Sequence, residues 1–131
     1  SSKSHRPVDT ITPLSQALSL PIDAKHLDDD YQKLATDLLT HAKYDNCNSL
    51  VCWHHGKILK FAKALGAHHA VLPASADWPH KWPSEVFGWL LQLQYDANGD
   101  LIASQTLCLN EHLMPDDTLN PPGPDTAESA D

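Results

Sequence analysis

The stretch Ser49-Leu50-Val51-Cys52-Trp53-His54-His55-Gly56-Lys57 changes character halfway along. Its first five residues form a short apolar run bounded by the following histidines and Gly56, which predicts a buried strand rather than a helix. Beyond Gly56, Ile58, Leu59, Ala62 and Leu65 recur at helical spacing, so a helix from about Lys57 to Leu65 is expected to stop at Gly66. A strand feeding a helix through a His-His-Gly corner points to an α/β layer fold. Ligands of such folds bind beyond the carboxyl ends of strands, which makes His54 and His55 candidate site residues. Neighbouring side chains diverge, so only one of the two faces a given pocket. Gly56 would let a ligand come close to the backbone.

The flanking sequence supplies the remaining elements. Thr10 to Leu18 reads as a helix, capped by Thr10, with Pro13 in its first turn and Ile11, Leu14, Ala17 and Leu18 on one face. Asp28-Asp29-Asp30 opens the clearest helix, in which Tyr31, Leu34, Ala35, Leu38, Leu39 and Ala42 recur at helical spacing and the acids sit at the positive dipole end. His68 to Pro83 reads as a loop. From Val86 to Tyr95 the period becomes two, Asp96-Ala97-Asn98-Gly99-Asp100 is a turn, and Leu101 to about Leu109 returns, predicting an antiparallel hairpin. After Leu113 there are four of the ten prolines and no base, so residues 114–131 are expected to be an acidic, flexible tail and residues 1–113 the folded domain.

The chain has 131 residues, 41% of them hydrophobic, which suits one globular domain. No apolar run approaches the ~20 residues needed to span a bilayer, so a soluble protein without a membrane partner is expected. Nine Lys and Arg face seventeen Asp and Glu, a net charge of −8, and five of the acids follow Leu113. No basic stripe exists to neutralise a nucleic-acid backbone. The three cysteines, Cys47, Cys52 and Cys108, give neither an even disulfide framework nor a CxxC pair. The compartment is left undetermined.

Arg6 is the only arginine. Its planar fork, just ahead of a helix N-terminus in Lys3-Ser4-His5-Arg6-Pro7-Val8-Asp9-Thr10, suits a phosphate or carboxylate. A solvated surface arginine is the plainer alternative.

Together the two segments resemble the histidine phosphatase superfamily, the phosphoglycerate mutase-like proteins. Ser4-His5-Arg6-Pro7-Val8-Asp9-Thr10 is similar to that family's S-x-R-x-x-x-T element. Leu50 to Gly56 is similar to the later strand that ends in a pocket histidine. Trp78-Pro79 to Tyr95 resembles the W-P loop and closing strand. The likeness covers roughly residues 1–110 and rests on the order and spacing of short motifs. It implies a three-layer α/β sandwich and hydrolysis or transfer of phosphate monoesters. Arg6 and His55 would bind the phosphoryl oxygens in one shared pocket, and a small phosphorylated molecule or phosphate would be the ligand.

The departures from the family pattern are as informative. His54 stands where an acidic or small residue is common, leaving open which imidazole faces the pocket. Gly56 follows His55 in place of the Asp that donates a proton in the phytase-like branch. A general acid would come from elsewhere; Asp28 to Asp30 and Glu85 are the candidates, although capping a helix is the plainer role of the Asp run. The family's nucleophile lies in an Arg-His-Gly motif, and this chain contains none. The resemblance therefore implies the C-terminal portion of the fold, lacking the N-terminal strands, inactive alone, with a second chain carrying Arg-His-Gly as an expected partner. Two other readings stay open. One is a non-catalytic phosphate-binding or protein-interaction module of the same fold. The other is a metal-binding protein, invited by nine histidines including His54-His55 and His68-His69, though adjacent residues chelate poorly. The expectation is for neither metal nor cofactor.

Overall fold

In the computed structural model of the protein, residues 5–121 are described. Ser4 of the S-x-R-x-x-x-T segment and residues 122–131 of the expected tail lie outside them. The chain divides into two compact units, Ser1–Ala64 and Leu65–Asp131, a boundary the sequence reading did not place.

The first unit is helical. Helix α1 spans Arg6–Leu18 and so begins four residues before the expected start. Pro7 explains the difference: its fixed φ suits a first turn, where its missing N–H is no loss. Thr10 is therefore no cap. It lies inside the helix and its hydroxyl donates to the Arg6 carbonyl at 2.7 Å. Ser19 closes α1 in the left-handed region (φ 54°, ψ 37°), and the Leu20 amide donates to the Ser15 carbonyl at 3.0 Å. Asp28–Asp30 form one 3₁₀ turn, in which Asp30 Oδ2 accepts from the Leu27 amide at 2.9 Å. Helix α2, Tyr31–Thr40, follows at once and packs on α3, His55–Ala64, burying Ala35 against the element that buries Phe61 and Ala62.

No strand forms at Ser49–Trp53. Strand N–H and C=O groups need a neighbouring strand, and the first unit offers none among the described residues. Leu50 and Val51, expected to be buried, are 55% and 39% exposed. Side chains hold the segment instead. The Trp53 indole N–H donates to the Asp28 carbonyl at 3.1 Å, and its ring meets Phe61 edge-on at 5.1 Å.

The second unit contains the hairpin. Strand β1, Trp89–Gln92, pairs antiparallel with β2, Leu107–Asn110, with Trp89 opposite Asn110 and Gln92 opposite Leu107. Tyr95 bridges Leu101 beyond them. Between those pairs the second arm carries three surplus residues, absorbed by the 3₁₀ turn Ala103–Gln105, so it is not the continuous strand that period-two reading expected. Thr106 seals this bulge at 1% exposure: its hydroxyl donates to the Ile102 carbonyl and accepts from the Gln94 amide. Ala67, Ala76, Trp78, Val86, Trp89 and Cys108 complete the core. Phe87, placed by periodicity on the face of Trp89, is 81% exposed because it lies ahead of the strand.

The segment after Leu113 is tied to the hairpin as far as it is described. Trp89 Nε1 donates to the Leu119 carbonyl at 2.8 Å, and Asn110 Nδ2 donates to the carbonyls of Asp117 and Leu119. The protein is thus a mixed α/β fold. Among the described residues no helix is long and apolar enough to cross a membrane.

Candidate functional site

The sequence candidates Arg6, His54 and His55 all belong to the first unit, at the N-terminal ends of α1 and α3. Arg6 is the first residue of α1, with Pro7 next and Asp9 in the same turn. His55 is the first residue of α3, not a loop residue ahead of it. Both residues are exposed. The positive end of a helix dipole favours an anion at each position.

Thr10 of α1 lies near Cys52, ahead of α3: burial raises the thiol's pKa, and the Thr10 hydroxyl works against the rise. Thr10 lies one turn beyond Arg6, about 6 Å along the axis, and its hydroxyl is bonded back to the Arg6 carbonyl. Cys52 lies three residues before His55. The Thr10 side chain thus lies towards the segment leading into α3.

The two imidazoles have different tasks. His54 Nδ1 accepts from the Gly56 amide at 3.1 Å, and its carbonyl accepts from the Lys57 amide at 2.9 Å, so His54 caps α3. An Nδ1 that accepts carries no proton, which leaves any ring N–H of neutral His54 on Nε2. The His55 ring stacks on His54, centroids 4.5 Å apart and planes 27° apart. Gly56 has a different role from the expected one. A Cβ there would meet His54 Nδ1 at 3.2 Å, so the glycine makes room for the capping imidazole rather than for a ligand.

The acidic turn lies alongside this corner. Trp53, two residues before His55, bonds to the Asp28 carbonyl, and Lys57 Nζ, two residues after it, lies 3.2 Å from Asp29 Oδ1. Asp30 is engaged with the Leu27 amide and Asp29 with Lys57. Sequence reasoning named these aspartates but had no means of placing them against Trp53 and Lys57. Glu85 belongs to the second unit, where the Ser84 hydroxyl donates to it at 3.5 Å.

The remaining histidines include His69 and His80, with ring centroids 4.2 Å apart. No group of three or more His, Cys, Asp or Glu among the described residues is arranged to hold a metal ion. In comparison with protein-family models, curated proteins and solved structures, the chain matches none.

Proposed function

We propose that the first unit binds the phosphoryl group of a small phosphate monoester, as the pocket side of a histidine phosphatase-like site. The carrying observation is that Arg6 and His55, both exposed, each begin a helix of the first unit, where the dipole favours an anion. The capping role of His54 supports His55 as the imidazole open to the ligand. Arg6 would engage two phosphoryl oxygens through its fork, and His55 would donate to a third. Side chains carry this recognition, because the Gly56 amide of α3 is already taken by His54.

In such a reaction a histidine nitrogen attacks phosphorus in line, the P–O ester bond breaks, and an acid protonates the departing oxygen. Charge on the equatorial oxygens builds up where Arg6 and His55 stabilise it. These 131 residues contain no Arg-His-Gly. The nucleophile therefore has to be supplied by another polypeptide segment, whose strands would also pair with the open Ser49–Trp53 run and complete a three-layer sandwich. Without that segment the unit binds phosphate and does not turn it over.

Titration of the full chain with inorganic phosphate, followed by ³¹P line broadening, tests this reading. Arg6→Ala removes charge-assisted bonds worth about 1.5–3 kcal/mol and is expected to weaken binding by roughly tenfold or more. His55→Ala weakens it as well, while His54→Ala does not. Binding that survives both Arg6→Ala and His55→Ala refutes the site.

A further inference from the structure

We infer that Asn98, at the tip of the hairpin in the second unit, is a site of spontaneous covalent modification in the folded protein: deamidation through a cyclic imide. Of the five asparagines, Asn46, Asn48, Asn98, Asn110 and Asn120, only Asn98 precedes a glycine. The tip is exposed. Gly99 has φ +84°, and nothing lies within 4 Å of the place a Cβ would occupy, so the attacking residue carries no side chain and its surroundings are open. Asn110, by contrast, spends its carboxamide on Asp117, Leu119 and Asn120. Pro121 gives Asn120 no attacking N–H.

The step balances without a co-reactant other than water. Base removes the Gly99 N–H proton, the nitrogen attacks Asn98 Cγ, and the C–N bond to the side-chain amine breaks, releasing ammonia. Water then opens the succinimide at either carbonyl, leaving aspartate or isoaspartate, and no electrons change hands. One bond slows it: the Gly99 amide donates to the Asp96 carbonyl at 3.0 Å and must be freed first. Asp96 Oδ1 already accepts from the amides of Asn98 and Asp100. The product sets a third carboxylate between Asp96 and Asp100. Its isoaspartyl form lengthens the backbone inside that hydrogen-bonded loop and loosens it.

The test holds the full folded chain at mildly alkaline and mildly acidic pH, maps its peptides by mass, and labels isoaspartate with an isoaspartyl methyltransferase. A urea-unfolded sample and a folded Asn98→Gln variant run in parallel. The expected result is a one-dalton gain at Asn98 ahead of every other asparagine, faster in alkali, labelled by the enzyme, and absent from Asn98→Gln. Another asparagine converting first overturns the inference. So does an Asn98 that stays intact in the folded chain while the unfolded sample converts.

Discussion

His54 and His55 are chemically identical and adjacent, yet a single 3.1 Å bond from the Gly56 amide assigns them different work. His54→Ala removes a cap and is expected to lower stability by about 1 kcal/mol in urea denaturation, leaving phosphate affinity unchanged; His55→Ala should show the reverse pattern. An equal loss of affinity in both variants would contradict that division. Buried protons provide a second residue-level handle. Burial pushes the Cys108 thiol from its ordinary 9.0 up to about 12, with the Asp77 carboxylate adding to the rise, and burial pushes the Tyr95 phenol from 10.0 up to about 12. The unfolded chain would release both protons near their ordinary values while the folded chain still holds them. The native state therefore binds more protons across this window. The stability they contribute is complete below about pH 9 and is lost as pH rises towards 12. Alkaline urea melts should show the midpoint falling through this range, with a shallower fall in Cys108→Ala.

Among the elements, Ser49–Trp53 and the hairpin show how far pattern reading carries. Leu50→Ser is expected to change stability by less than about 0.5 kcal/mol, since the side chain is 55% exposed. The same change in a buried strand would cost several times that, so a calorimetric melt separates the two descriptions. The hairpin, legible from period two and the Asn98-Gly99 turn, owes its end to a contact that periodicity cannot show. A Cβ on Gly88 would lie 2.9 Å from Asp117 Cγ, the carboxylate whose Oδ2 accepts from the Met114 amide at 2.9 Å. Gly88→Ala should therefore displace the 114–120 segment and cost about 1–3 kcal/mol, read as a lower melting temperature and faster proteolysis after Leu113.

At the scale of the whole molecule, the described residues bury Ala, Phe, Trp, Val and Cys side chains but no Leu or Ile. Leu14, Leu18 and Leu20 of the first unit and Leu113 and Met114 of the second are each 44% exposed or more. A native chain with this much open apolar surface should bind the dye ANS, and the signal should fall when its surface is covered. The proposed phosphate site carries a prediction at this scale too. The 131-residue chain is expected to show no turnover of an aryl phosphate, because nothing in it supplies the Arg-His-Gly nucleophile. Turnover by this chain that survives His55→Ala would defeat the proposed roles.

Local chemistry was sufficient for much of this protein. Apolar residues at helical spacing place α2 and α3, alternation with an Asn-Gly turn places the hairpin, and the lone Arg6 and the His-His corner single out candidate residues for the proposed site. These signals depend only on residues a few positions apart. Tertiary structure decided the rest. It left Ser49–Trp53 unpaired, gave His54 the cap, and tied the acidic turn to Trp53 and Lys57. Each of those outcomes turns on a hydrogen-bond partner distant in sequence or on a choice between neighbouring groups, and no periodicity in the chain records which partner a donor will find.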